Sequence, residues 1–122
     1  MKGFRDLQVW AKSHALTLTV YRATSSFPKE ELYGLTSQMR RSSASIPANI
    51  AEGCGRSGNG EFHRFLQIST GSASELEYHI LLARDLGFLA QGDFESLTGQ
   101  VQEVKKMLAG LIKRVESERT RL

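Results

Sequence analysis

The chain has 122 residues, a formal net charge of +3, 40% hydrophobic residues and 24% charged residues. This composition predicts one folded domain over residues 1–122 and excludes an intrinsically disordered chain. With no run near 18 apolar residues and no signal-peptide pattern, we expect a cytoplasmic protein that does not span a membrane. A single cysteine, Cys54, excludes an intrachain disulfide and a site built from several thiolates.

The positive charge lies at the C-terminal end. Residues 1–102 contain ten Lys or Arg and ten Asp or Glu, whereas residues 103–122 contain six bases and three acids. Such a cluster attracts nucleic acid, but cations also suit the C-terminus of a helix and are commonly solvated there. Both interpretations stay open, and the solvated helix end is the commoner one.

The first helix is predicted from the spacing of its apolar residues. Positions from Leu7 to Tyr21 recur every three or four residues, and Asp6 before them is a candidate N-cap. The same stripe places His14 on the inner face, as a core histidine. The helix should end near Ser26, because the residue before a proline disfavours helical geometry.

The second helix is predicted from about residue 33 to residue 53, with small residues on its inward face. Pro47 removes one backbone hydrogen bond and should bend this helix rather than end it. Asn49 falls on the inward side, where its amide needs partners, since an unsatisfied buried polar group costs about 1–3 kcal/mol.

Charged residues flank that inward face. They are either solvated or paired across a helix or subunit boundary, where they would fix the register of the bundle. The candidates for this structural role are Arg41, Asn49, Glu52, Glu75 and Glu77. Arg40 points about 100° away from Arg41 and is a candidate for contact with an outside ligand.

Four glycines between Gly53 and Gly60 predict a flexible connection, because glycine disfavours helices and strands. Part of this segment formally matches the G-x-G-x-x-G pattern of dinucleotide-binding proteins. That fingerprint requires a preceding strand, and here a helix precedes the glycines. We therefore interpret the segment as a plain connection between helices.

The third helix is predicted from about residue 61 to residue 86. One unbroken apolar stripe runs along it, and a second stripe beside it makes the face wider than a single helical seam requires. This extra width predicts burial by another subunit. The candidate interface residues are Ile68, Leu82 and Leu86.

The fourth helix keeps an apolar heptad phase from Phe94 to Val115. Its basic residues, together with one residue of the second helix, are the candidates for contact with a nucleic-acid backbone: Arg40, Lys105, Lys106, Lys113 and Arg114. No segment is predicted as a strand. The fold class is therefore all-α, an antiparallel up-down-up-down four-helix bundle.

Catalysis and metal binding have no visible site. Di-iron bundles use Glu-x-x-His, whereas Glu75 and His79 are four residues apart. No serine accompanies a recognisable base or nucleophile motif. We therefore expect no enzyme activity, no catalytic residues, no metal and no cofactor.

Four segments of the chain resemble a known family. They are Phe4–Trp10, Tyr33–Arg41, Ser45–Gly53 and Gly71–Glu77. Together they closely resemble the small bacterial four-helix bundle proteins that are encoded in intervening sequences of 23S ribosomal RNA genes. The resemblance spans residue 4 to about residue 89.

The resemblance implies a ring-like homopentamer. It also implies kinship with the accessory variability proteins of retroelements, which associate with a reverse transcriptase and with nucleic acid through basic surfaces. The leading hypothesis is a non-enzymatic oligomeric bundle that binds RNA or DNA phosphates weakly. The alternative is a ring-shaped scaffold that recruits a protein partner and has no physiological nucleic-acid role.

Overall fold

The structure is a computed structural model that describes residues 3–120, and only the backbone of residue 120. Its four helices are α1 (Gln8–Thr24), α2 (Leu35–Gly55), α3 (Asn59–Asp85) and α4 (Gln91–Thr120). Two short 3₁₀ turns, Phe4–Asp6 and Lys29–Glu31, precede α1 and α2. The described residues contain no strand. The all-α antiparallel up-down-up-down four-helix bundle predicted from the sequence is confirmed.

Each helix packs against its neighbours in the chain, and α4 closes the bundle against α1. The contact between α2 and α3 is the most extensive of these, and the contact between α1 and α4 is the least. Within residues 3–120 the diagonal pairs α1–α3 and α2–α4 do not approach each other. The α1/α2 side and the α3/α4 side are therefore opposite faces of the molecule.

The core follows the predicted stripes of α3 and α4 closely. Buried apolar side chains recur at three- and four-residue steps along both helices, as the amphipathic pattern requires. The largest side chains that are fully buried in the whole core are Leu16, Met39, Ile46, Ile50, Leu66, Leu76, Ile80, Leu97 and Leu108. All four helices contribute to this list.

The first helix differs from the prediction in its cap and its phase. Its N-cap is Leu7 without a side-chain hydrogen bond, because Asp6 belongs to the 3₁₀ turn before it. His14 is exposed and stacks on Trp10, with ring centroids 5.0 Å apart and an interplanar angle of 8°. The buried stripe lies one step earlier and includes the polar Ser13, which donates to the Trp10 carbonyl over 3.0 Å.

Pro47 lies inside α2, and the helix continues through it. Proline has no N–H, so the carbonyl of Ser43 loses its helical donor. The hydroxyl of Thr17 in α1 lies 2.9 Å from this carbonyl oxygen and 3.0 Å from that of Ser13. On the other side of α2, Ser69 of α3 donates to the Ile46 carbonyl over 2.9 Å. Side chains of both neighbouring helices thus bond directly to the backbone of α2.

The prediction of a flexible connection over residues 53–60 is wrong in extent. Only residues 56–58 lie outside the helices, and Gly58 has a positive φ of 86°. Gly53 belongs to α2, and its lack of a side chain lets α3 pack closely against the helix at this point. A Cβ built on Gly53 would lie 2.9 Å from the Cβ of Phe65 and 3.0 Å from Cδ1 of Phe62.

Gly53→Ala should therefore destabilise the fold, by about 1–3 kcal/mol of unfolding free energy, because the α2–α3 contact has to widen. The control is Gly99→Ala in α4, where a Cβ would meet no atom within 4 Å. That variant should gain about 0.5–1 kcal/mol from the helix propensity of alanine. Urea denaturation measures both, and a gain in stability for both variants would contradict the close contact at Gly53.

Candidate nucleic-acid interface

A polar seam joins α2 to α3 on the molecular surface. Arg41 forms an ion pair with Glu75 and also donates to Gln38 over 3.0 Å. The Glu75 carboxylate lies 3.8 Å from Nε2 of His79, and Nδ1 of His79 lies 3.5 Å from the Ser42 hydroxyl. Arg41 thus pairs with Glu75, and not with Glu77, across a helix boundary within one chain.

The remaining candidates for a structural role have different partners. Asn49 donates to the carbonyl and the hydroxyl of Ser45, at 2.8 and 2.9 Å, within α2. Glu52 pairs with Arg56, one helical turn away, so it joins no second helix in the described chain, and its pairing across a subunit boundary stays a prediction. Glu77 joins α3 to α4 through Lys105. Whether these contacts fix the register stays a prediction.

His79 is the titratable group most affected by this seam. Burial lowers the pKa of His79 below its ordinary value of 6.5, the Glu75 carboxylate acts in the opposite direction, and Arg41 adds to the lowering. Ser42, His79 and Glu75 are residue types that serve hydrolases, but Ser42 is fully buried and its hydroxyl donates to the Met39 carbonyl over 3.3 Å. A substrate cannot reach that hydroxyl in this structure.

Lys105 is half-buried and does not point freely into solvent as the nucleic-acid hypothesis requires. Its ammonium group lies 3.0 Å from the Glu77 carboxylate, which also accepts from Gln102 over 3.3 Å. The hydrogen bond from Lys105 lowers the pKa of Glu77 below its ordinary value. Lys105 is a weaker candidate for contact with a phosphate than its neighbours, because its charge is paired between α3 and α4, and this contact stays a prediction.

Lys106, Lys113 and Arg114 are exposed, and none of them has an ion-pair or hydrogen-bond partner within residues 3–120. We call these three residues the α4 basic patch. Gly110 lies between them, and the space above it is open. A phosphate backbone could therefore approach the helix closely at this point.

A groove lies beside the α4 basic patch, between α4 and the start of α1. Its volume is about 450 Å³, and Arg114 and Asp6 are among its polar lining residues. The apolar lining comes from Leu7, Val9, Met107 and Leu111. The patch thus continues into a partly apolar groove, which the charge pattern of the sequence alone did not predict.

Arg40 is half-buried, because α1 holds its guanidinium group. Its Nε donates to the Thr24 hydroxyl over 2.9 Å and its Nη2 donates to the Tyr21 carbonyl over 3.3 Å. The guanidinium carbon lies 4.7 Å from the centroid of the Tyr21 ring. Arg40 is thus anchored to α1 and still lines an open cleft, and its contact with an outside ligand stays a prediction.

The predicted subunit interface is not a continuous apolar strip. Ile68 and Leu86 are 39% and 51% exposed, but Leu82 is half-buried against the core. Between Ile68 and Leu82 the second stripe of α3 is occupied by Ser72, which bonds Ser45 over 2.8 Å, and by the Glu75–His79 seam. Much of the extra width of this face therefore serves α2 of the same chain. Its burial by another subunit stays a prediction.

Two exposed apolar clefts escaped the sequence analysis. One, of about 400 Å³, lies between the end of α1 and the start of α2 and includes Tyr21, Tyr33 and Arg40 in its lining. The other, of about 390 Å³, lies between α3 and α4 and includes Tyr78 and Phe94. The signal that could have revealed the first is Leu32-Tyr33, an apolar pair in a segment without helical periodicity.

The part of the chain that the structure describes contains neither a cluster of metal ligands nor a candidate membrane span. No group of three or more His, Cys, Asp or Glu residues within residues 3–120 could hold a metal ion. No helix in this range is both long enough and apolar enough to cross a bilayer. Burial raises the pKa of the half-buried Cys54 thiol, which disfavours the thiolate form that binds metals.

These features define a small all-α protein, an up-down bundle with a polar seam between its central helices and an exposed basic patch on its last helix. The model of the 23S rRNA-intervening sequence protein family matches residues 5–110, and the chain belongs to this family. The resemblance seen in the sequence is thereby confirmed.

One solved structure shows the same fold over most of both chains. It is a protein of unknown function from the S23 ribosomal protein family of Bacteroides thetaiotaomicron, with 26% sequence identity and a TM-score of 0.78. The alignment covers 86% of this chain and 98% of the other. A comparison with curated proteins finds no match.

The lowered pKa of His79 gives a pH dependence of stability. The unfolded chain binds a proton at His79 at a higher pH than the folded chain does, so the free energy of unfolding falls as the pH drops below about 6.5. His79→Gln removes this contribution, and its unfolding free energy should fall less steeply between about pH 6.5 and about pH 5. Denaturation curves across this range test the prediction, and parallel pH profiles would contradict it.

Proposed function

We propose that this protein is a non-enzymatic, homo-oligomeric helical bundle that binds RNA or DNA weakly through phosphates. The single observation that carries the proposal is the α4 basic patch, whose three cations have no partner among the described residues. A cation without an intramolecular partner can release the counterions of a nucleic-acid backbone without first breaking an ion pair. Lys105 differs from these three residues, because it is paired with Glu77.

Oligomerisation would raise the overall affinity for a nucleic-acid polymer above that of a single subunit. Three cations per subunit support only a modest salt-dependent attraction. Copies of the patch on one assembly act on the same polymer, and the second contact is then intramolecular, so the overall affinity rises without any new contact. The homopentamer implied by the family resemblance supports this part of the proposal.

The test replaces the α4 basic patch with neutral residues, as Lys106→Gln, Lys113→Gln and Arg114→Gln together. Binding to a labelled RNA should weaken, and the slope of log affinity against log salt should fall by about 2, since each phosphate contact contributes about 0.7–0.9. Fluorescence anisotropy over a salt series measures both quantities.

The matched control removes three positive charges that are already paired. Arg56, Arg64 and Arg84 pair with Glu52, Glu61 and Asp85 respectively. Their combined replacement by Gln changes the net charge equally but should leave most of the salt slope in place. If both triple variants lose the same affinity and salt slope, the assignment to the α4 basic patch is refuted and only a general effect of net charge remains.

Self-association has its own test. Multi-angle light scattering at micromolar concentration should give a mass that is a multiple of the 13.6 kDa chain. Ile68→Glu combined with Leu86→Glu should reduce it, because both side chains are substantially exposed in the single chain and a buried carboxylate is costly. A monomeric wild-type mass, or an unchanged mass in a folded double variant, would refute the interface.

The second candidate function is a scaffold that recruits a protein partner. The α3/α4 cleft favours it, because Tyr78 and Leu81 are exposed there beside the half-buried Phe94. Exposed apolar surface of this kind is typical of protein contacts. Capture of one partner from lysate with and without nuclease separates the two functions: a partner that survives nuclease and is lost in Tyr78→Ala supports the scaffold.

A further inference from the structure

We propose that the α1/α2 cleft binds an unpaired nucleobase and its phosphate within single-stranded RNA or DNA. The inference rests on the proposed affinity for nucleic acid, but it adds a second site on a different side of the bundle and a preference for single strands. The cleft is lined by Tyr21, Leu32, Tyr33, Thr36, Ser37, Arg40 and Arg41, and its volume is about 400 Å³.

One aromatic ring of this cleft is fully available for stacking. Tyr33 is 94% exposed, whereas Tyr21 is 45% exposed and the Arg40 guanidinium group lies over its ring. Neither ring belongs to the apolar core, so their exposure is not explained by packing within the chain. Proteins that bind single strands use such rings as stacking platforms, because every base has an apolar π-face.

Arg40 supplies the charge that a phosphate next to a stacked base requires. α1 uses two N–H donors of its guanidinium group, at Thr24 and at the Tyr21 carbonyl. A guanidinium group has five such donors, so three remain for a ligand. The two bonds and the Tyr21 ring hold the group at the wall of the cleft, which lowers the conformational entropy lost on binding.

The charges of the helices favour an anionic ligand on this side. α1 and α2 together carry four Lys or Arg and one acid, Glu52, whereas α3 and α4 together carry seven Lys or Arg and nine acids. Glu52 lies about 18 Å along α2 from Arg40 and is paired with Arg56. The turn before α2 adds Lys29, Glu30 and Glu31, so the chain from α1 through α2 carries five Lys or Arg and three acids, and Glu31 accepts the Leu35 N–H over 3.1 Å. The net-charge count by sequence position did not show this division.

The combination of the Tyr33 ring with the Arg40 guanidinium group favours an unpaired strand over a duplex as the ligand. A duplex presents phosphates but keeps its bases stacked inside, so it cannot use Tyr33. An unpaired strand offers a base for Tyr33 and a phosphate for Arg40 at neighbouring positions. The cleft should therefore add affinity for single strands that the α4 basic patch, which contacts phosphates alone, does not provide.

The experiment compares Tyr33→Ala with Tyr78→Ala, a second exposed tyrosine on the opposite face of the bundle. The probe is a labelled oligo-dT of about 15 nucleotides, since single-strand sites span about 4–16 nucleotides. Tyr33→Ala should bind it about 5- to 100-fold more weakly with an unchanged salt slope, because a stacking contact is lost without any change in charge. Tyr33→Trp should retain the affinity, and Tyr78→Ala should match the wild type.

The outcomes separate this inference from the proposed function. Normal binding by Tyr33→Ala, or equal losses in Tyr33→Ala and Tyr78→Ala, overturns the cleft while the salt slope still tests the α4 basic patch. A loss confined to Tyr33→Ala, with no effect of the α4 triple variant, supports the cleft and refutes the patch. If Tyr33→Ala loses as much affinity for a labelled DNA duplex as for the oligo-dT, the base-stacking role is overturned. A wild type that binds neither the labelled RNA nor the oligo-dT at low salt overturns both proposals.

Discussion

The structure depends on how closely α1 and α3 approach α2. Pro47 frees the Ser43 carbonyl, and the Thr17 hydroxyl of α1 lies within hydrogen-bond distance of it. From the opposite side, Ser69 of α3 bonds the Ile46 carbonyl, and the missing side chain of Gly53 gives Phe65 its place. The side chains of Thr17 and Ser69 are short, so each can reach an α2 carbonyl only if its own helix packs close to α2. These bonds also fix the position of each helix along the α2 axis. The positions of three helices are therefore set around one irregular turn of α2.

This packing decides which charges remain for function. Charged side chains near the crowded α2 backbone form contacts within the chain, as Arg41 does with Glu75. The α4 basic patch is far less constrained, because its residues lie on the outer surface of the last helix and have no partner in the described range. Arg40 differs from both, since its guanidinium group is held by α1 yet still lines an open cleft. The two proposed contacts with nucleic acid thus use one set of exposed, unpaired cations and one positioned cation.

The sequence predicts the bundle well where helical periodicity alone determines which residues are buried. The stripes of α3 and α4 follow from helical periodicity, and their buried residues are the predicted ones. It failed where tertiary contacts compete with local rules. The buried stripe of α1 includes Ser13 and excludes His14, since a hydroxyl can bond its own helix while the imidazole stacks outside on Trp10. Gly53 stays helical because Phe62 and Phe65 need its space, and the pairing of Lys105 with Glu77 depends on the rotation of two helices.

The limited contact between α1 and α4 has a dynamic consequence. These two helices are the first and last of the bundle, so no short connection joins them, and one exposed ion pair, Lys12–Glu103, bridges them within residues 3–120. The groove of about 450 Å³ lies along the same seam. Partial unfolding of a bundle proceeds where the least apolar surface has to be exposed. In native-state hydrogen exchange, the amides of α1 and α4 along this seam are thus expected to lose protection before those of α2 and α3.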